Sequence, residues 1–400
     1  MTQMGALVIG GDYRGLGLVR SLGRRGVPVA VAVDDHWLAA WSRYASRRIR
    51  FPTGDAARLA ALRALALDQG FAGWTIFPTA DDTAAFVSRH HAELGGWFRL
   101  TTSAWEVFRV ALDKRLTYAL ADGLGIARPA TYAATTREEL DQIRCAFPVV
   151  VKPALRSETD PHCPRKAWPA ADRHELAVAF ADASRFYEPG RLIVQELVVG
   201  RGSEQLSYAA VCARGDVIGW LNARRTRQWP VDFGHSSSFV ETIDLPELAA
   251  IGERIVRAAG FDGLVEVEFK RDVRGGELKL LDINARSWGW HSIGQRAGVD
   301  FPFMAWSLSQ GRPVTRARGR AGVRWVHAIT DVPASIAEMR GGNLGVVEYA
   351  RALAGDVELA LLALDDPLPA LLEIPMALSL MWRRRHARTP ASYRRAVADS

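Results

Sequence analysis

The segment Gly263-Leu-Val-Glu-Val-Glu-Phe-Lys270, followed by Gly275-Gly276 and then Leu278-Lys-Leu-Leu-Asp282-Ile-Asn284-Ala-Arg286, decides how this chain is read. Strict alternation in the first run puts Glu266 and Glu268 on one face of a strand and Val265, Val267 and Phe269 on the other. The next strand, Glu277 to Asn284, repeats the pattern with Asp282 and Asn284. A hairpin centred on Gly275 sets Glu268 opposite Asp282 and Glu266 opposite Asn284, so four oxygen-bearing groups share one face. Carboxylates in direct opposition destabilise a sheet unless a cation sits between them. A hard divalent ion such as magnesium fits, because it binds through one or two carboxylates plus substrate phosphates. A solvated face with its charges in water is the other reading of the same pattern.

Working outward, the first hundred residues alternate apolar runs (ALVIG from Ala6, VPVAVAV, WTIFPT) with helical stretches, the βαβ rhythm of a parallel sheet. The turn from Gly10 to Gly17 brings a helix N-terminus to the end of the first strand. Its spacing is not G-x-G-x-x-G, since Arg20 stands three after Gly17, so the turn reads as a tight connection beside a substrate wall and not as a dinucleotide site. A helical run is expected from Thr101 to Ala127, then a strand at FPVVVKP near Phe147. Further strands follow near 206 to 222 and 263 to 284, with a helix around Pro246 to Gly260 between them. There is no P-loop motif.

Four hundred residues, 48% hydrophobic and 24% charged, describe an ordinary globular chain of two or three packed units. The net charge of +7 comes mainly from scattered arginine, because only five basic residues are lysine. No motif that reads DNA or RNA accompanies it, and the excess suits anionic small substrates. Cys145, Cys163 and Cys212 form no CxxC pair, which favours a reducing cytoplasm. No signal peptide is evident at the N-terminus. Leu371 to Trp382 is apolar and precedes Arg383, Arg384, Arg385, His386 and Arg388. It is too short to span a bilayer and reads as a docked C-terminal helix, with contact to a membrane surface as the lesser alternative.

The hairpin and its Asp282-Ile-Asn284-Ala-Arg286 end resemble the metal-binding strand pair of the ATP-grasp superfamily, with aspartate where glutamate is commoner. The resemblance covers roughly residues 5 to 310. It implies an α/β fold with an N-terminal Rossmann-like domain (1–110), a lid with its linking helix (111–195), a metal and nucleotide subdomain (196–320), and a C-terminal extension without an assigned role (321–400). It also implies that Glu268, Asp282 and Asn284 hold magnesium, or manganese, against ATP phosphates, with Glu266 as a neighbour. Arg286 would reach the acyl-phosphate or tetrahedral species.

Lys114 in Asp113-Lys114…Gly125-Ile-Ala-Arg-Pro129 and Lys152 in FPVVVKP match the family's two phosphate-binding lysines. Leu192 to Gly200 resembles the hinge that reads adenine, assigning Gln195, Glu196 and Val198 to the base and Glu204 to the ribose. The lid loop departs from the family, since residues 154 to 170 contain no glycine; Arg165 and Lys166 are the side chains offered in its place. Arg225-Thr-Arg-Gln-Trp-Pro-Val-Asp-Phe-Gly234 looks like the carboxylate-amine ligase branch, in which Arg225 or Arg227 would orient a substrate carboxylate. The expected reaction joins a carboxylate to an amine, amino acids among the candidates, by way of an acyl phosphate. A carboxylate-thiol ligase, a carboxylase of the same fold, and a non-catalytic nucleotide sensor are the alternatives. A homo-oligomer is compatible with the sequence.

Overall fold

The structure, a computed structural model, describes residues 4–33, 35–155, 167–200, 202–229 and 236–376. Five parallel strands form the first sheet in the order β3-β2-β1-β4-β5, where β1 is Ala6–Ile9, β2 Val29–Val33, β3 Ala45–Arg50, β4 Thr75–Pro78 and β5 Arg99–Leu100. Every residue of β1 and β2 is buried, as a parallel strand covered on both faces requires. Asp12 caps the helix Tyr13–Arg24 by accepting from the N–H groups of Arg14 and Gly15. The glycines of this turn are set by close packing. A Cβ on Gly10 would fall 1.9 Å from Thr79 Oγ1, and one on Gly17 would fall 2.8 Å from His291 Cε1.

The expected helical run from Thr101 to Ala127 is two helices, Trp105–Leu112 and Lys114–Gly123. They break at Asp113, whose extended backbone bridges to Leu155 and whose side chain caps the second helix. A four-stranded antiparallel sheet follows, in the order β6-β9-β7-β8: β6 Thr131–Ala133, β7 Val149–Pro153, β8 Trp168–Ala170 and β9 Leu192–Glu196. Residues 156–166, with Cys163, Arg165 and Lys166, lie outside the described residues.

The large sheet runs β14-β13-β10-β11-β12-β16-β17, with β15 pairing beside β11. Its strands are β10 Gln205–Ala213, β11 Asp216–Trp229, β12 Ser236–Ile243, β13 Gly263–Arg271, β14 Leu278–Asn284, β15 Ala317–Arg318, β16 Arg324–Val326 and β17 Val357–Leu359. One face buries Tyr208, Val265, Val267 and Leu280 with Leu248, Ile255 and Val256 of helix Pro246–Ala259, which Gly260 ends in the left-handed conformation. On the other face Ala209, Val211 and Ala223 share a core with Val8 and Val31 of the first sheet and Leu16 of the helix Tyr13–Arg24. That face carries the acidic side chains.

Residues 321–376, which the sequence left without a role, extend this sheet. β16 pairs antiparallel to β12, and β17 parallel to β16. Asp366 then ties the segment to the N-terminal sheet, accepting from Arg20 Nε (2.9 Å), Ser42 Oγ (2.7 Å) and the Arg43 N–H (2.9 Å). No helix among the described residues is long and apolar enough to cross a membrane.

Candidate active site

The hairpin register is the one the alternation implied: Glu266 faces Asn284 and Glu268 faces Asp282 across β13 and β14. An irregularity between Glu268 and Phe269 shifts the pairing beyond them. Asn284 Nδ2 donates to both Glu266 (2.9 Å) and Glu268 (2.9 Å), so one amide holds the two carboxylates in place. Ser207 donates to Glu266 at 3.0 Å and Gln205 to Glu268 at 2.7 Å. Glu266 is buried; desolvation, and then the charge of Glu268, push its carboxyl up to about 8. Lys114 approaches Asp282 Oδ1 at 3.0 Å.

These donors fit magnesium shared with a nucleotide. Among the described residues no group of three or more His, Cys, Asp or Glu side chains forms a cage that would hold a metal alone. Two carboxylates, one amide oxygen and phosphate oxygens suit an ion that keeps few protein ligands. Glu268, Asp282 and Asn284 would supply the protein side, and the crowding of Glu266 against Glu268 is what a cation relieves.

Lys114 is positioned by backbone as well as charge, since its N–H donates to Ala154 O at the end of β7, two residues from Lys152. The helix that begins at Lys114 is thus tied by its backbone to the end of the strand that carries Lys152. In the hinge, Gln195 Nε2 donates to Tyr118 Oη (2.8 Å) and Thr131 Oγ1 (2.9 Å), and Tyr118 donates to Leu281 O (3.1 Å). Glu196 accepts from Lys279 (2.8 Å), Arg274 (2.6 Å) and the Ala130 N–H (3.1 Å). Burial works to raise its carboxyl, but Lys279 and the Ala130 N–H outweigh that and hold it below the ordinary range. Val198 is buried. Glu204 lines a cleft of about 250 Å³ with Leu206, Arg224 and Arg271.

Arg225 and Arg227, read as part of a recognition segment, both lie on strand β11 and part company there. Arg225 faces the acidic side chains, donating to Gln205 Oε1 at 3.0 Å and lying 3.5 Å from Glu268 Oε2. Arg227 is paired elsewhere: its fork is engaged by buried Asp331 at 2.8 and 2.9 Å, and its guanidinium lies over the Phe239 ring at 4.1 Å. Of the two arginines offered for a substrate carboxylate, Arg225 is thus the one beside the acidic cluster, and Arg227 is held by the helix that carries Asp331. Residues 230–235, the end of that loop motif, lie outside the described residues. Arg286 donates Nε and Nη2 to Asp81 at 2.7 and 2.9 Å, with Nη2 also 3.4 Å from Asn284 Oδ1.

Asp81, Asp331, Gln205 and Tyr13 were not singled out from sequence. Asp81 opens the helix after β4, at the carboxyl end of a parallel strand, which is the signal that could have found it. Tyr13 packs 4.7 Å from the His327 ring, and Arg286 and Arg225 are both close enough to act on its phenol.

The fold is shared with solved structures. The L-amino acid ligase from Bacillus licheniformis superposes with a TM-score of 0.59 at 15% identity, covering 78% of this chain and 75% of its own. The biotin carboxylase domain of Hydrogenobacter thermophilus 2-oxoglutarate carboxylase, solved with MgADP, ADP and bicarbonate, gives 0.62 at 17% identity, covering 80% and 74%. The N5-carboxyaminoimidazole synthetase from Staphylococcus aureus gives 0.59 at 13% identity, covering 79% and 80%. This chain has the ATP-grasp fold. No family model matches the sequence, and no curated protein sequence matches it. The hairpin of β13 and β14 belongs to the large sheet, and β7 and β9 are neighbours in the four-stranded one.

Proposed function

We propose that this protein is an ATP-dependent carboxylate-amine ligase acting in the cytoplasm. The observation that carries the reading is the opposition of Glu268 to Asp282 and of Glu266 to Asn284, with Lys114 and Arg225 on the same acidic cluster. A carboxylate is a poor acyl donor, so its oxygen attacks the γ-phosphorus of ATP, giving an acyl phosphate and ADP. An amine nitrogen then attacks the acyl carbon, loses a proton and expels phosphate.

Lys114 and Lys152 hold the phosphates as point charges. Arg225 orients the substrate carboxylate, and Arg286 offsets charge on the acyl oxygen as the tetrahedral species forms. Glu268, Asp282 and Asn284 hold magnesium, which when bound draws charge from the transferring phosphoryl group. Gln195, Glu196, Val198 and Glu204 serve the nucleoside. The L-amino acid ligase among the similar structures supports amino acids as the first substrates to try.

ADP release is measured with ATP, magnesium and pooled amino acids, then with single omissions, with mass spectrometry of the amide. ADP formation that needs both a carboxylate and an amine supports the reading. Release with bicarbonate alone would instead support the carboxylase alternative, and ATP binding without release under any pool would leave a nucleotide sensor.

A further inference from the structure

Seventeen large apolar side chains are exposed among the described residues, and eleven of them lie beyond residue 320. A segment of this size would carry only a few by chance, so the surplus marks a contact surface. It is not scattered. In helix Ala328–Arg340 the outward positions are Ile329, Val332 and Ile336, while Asp331, Ala334 and Ser335 face inward. The last described helix, 368–376, is docked on one side, where Glu373 approaches His36 at 3.3 Å and Ala370 and Met376 pack on the core. Its outward positions are Leu368, Leu371, Ile374 and Pro375, with no charge among them. Leu362 and Leu364 precede it, Leu364 being 96% exposed.

The sequence that continues from this helix says what covers the face. Beyond the described residues, Ala377-Leu-Ser-Leu-Met-Trp382 is apolar in composition, and from Arg383 to Ser400 there are six arginines against one acid, Asp399. Apolar side chains beside a tryptophan and an arginine cluster match the boundary of an anionic bilayer, where the chains enter the acyl region and the guanidinium groups meet lipid phosphates. A second copy would fit the apolar stripe but would offer the six arginines no opposite charge, since its own tail carries the same excess. We propose that the C-terminal segment, through Leu368, Leu371 and Ile374 and the arginines that follow, docks this protein on an anionic phospholipid surface without crossing it. The inference does not depend on the ligase reading.

The full-length protein is mixed with vesicles of phosphatidylcholine, alone or with phosphatidylglycerol, and the bound fraction is pelleted. Binding to the anionic vesicles, weak binding to the neutral ones and loss of binding in high salt are expected. The double substitution Leu371→Ser and Ile374→Ser removes exposed side chains only, so the thermal melt stays unchanged while binding falls more than about tenfold. Replacing Arg383, Arg384 and Arg385 with serine removes the preference for anionic vesicles. Protein that stays in the supernatant with anionic vesicles overturns the proposal, as does a double variant that pellets like the wild type. Analytical ultracentrifugation is run alongside: a dimer that the double variant abolishes would give the face to a second copy and equally overturn it.

Discussion

Arg286, just past the end of β14, closes both arms of its guanidinium on Asp81 of the N-terminal domain, at 2.7 and 2.9 Å. The pair joins the strand that carries Asp282 and Asn284 to a helix of a different sheet. It also fixes where the cation points, since the remaining nitrogen donates to Ser287 O at 2.8 Å. An arginine that serves a transition state gains from such preorganisation. Asp81→Asn removes one charge and leaves the shape, so kcat is expected to fall by about ten- to a hundredfold while the KM for ATP holds. Asp81→Glu restores part of the loss. A variant with unchanged kcat would show that Arg286 is placed without Asp81 or takes no part in the chemistry.

Asp282 gives a second test. It lies opposite Glu268 and 3.0 Å from Lys114, so Asp282→Ala deprives both the expected magnesium site and the lysine of a partner. Turnover is expected to drop at least about a hundredfold. Circular dichroism should show the fold retained, because the side chain sits at the edge of the cleft and not in the core. Full ADP release by Asp282→Ala would remove the acidic pair from the mechanism.

How much of this was legible in the sequence follows from the range of each interaction. The hairpin register was readable because alternation and two turn glycines are local, and a one-residue slip would have turned every valine of β13 outward. Lys114 and Lys152 were picked out by their order along the chain, which could not show the backbone contact between Lys114 and Ala154. The pairing of Arg227 was not legible for a physical reason. The pairing of β11 with β12 is irregular on both sides of it, and its partner Asp331 lies on a helix more than a hundred residues away, in a segment with weak periodicity. Asp81 was hidden in the same way, by a separation of 205 residues from Arg286.

The Arg227 and Asp331 pair predicts a stability effect and not a kinetic one. Asp331 is fully buried, accepts from Ser238 Oγ at 3.1 Å as well, and depends on Arg227 for its countercharge. Arg227→Met or Asp331→Leu alone is expected to cost about 3 to 5 kcal/mol, measured by urea unfolding. The double variant should recover much of that loss, because two apolar side chains leave no unpaired charge. Arg227→Lys should destabilise while leaving the substrate KM near the wild-type value. A large KM increase with unchanged stability would return Arg227 to substrate recognition.

The last prediction concerns acid. His291 is buried against Gly17, with Nε2 3.0 Å from Arg14 O and no partner for Nδ1 among the described residues. Burial lowers its pKa from 6.5 to about 4, the hydrogen bond to Arg14 offsetting only part of the cost of a charge there. Between those two values the unfolded chain takes up a proton that the native imidazole refuses, so ν for the unfolded state exceeds ν for the native state. Stability therefore rises with pH across this window and is lost as pH falls from 6.5 towards 4, by roughly 3 kcal/mol in total. Above pH 6.5 this group adds no slope. His291→Gln keeps a side-chain donor for Arg14 O but cannot titrate, so its unfolding free energy should fall less steeply in acid than that of the wild type. Urea unfolding of both proteins over a series of pH values checks this, and parallel curves between pH 4 and 6.5 would mean that His291 is not the group whose protonation opens the contact between the first helix and the large sheet.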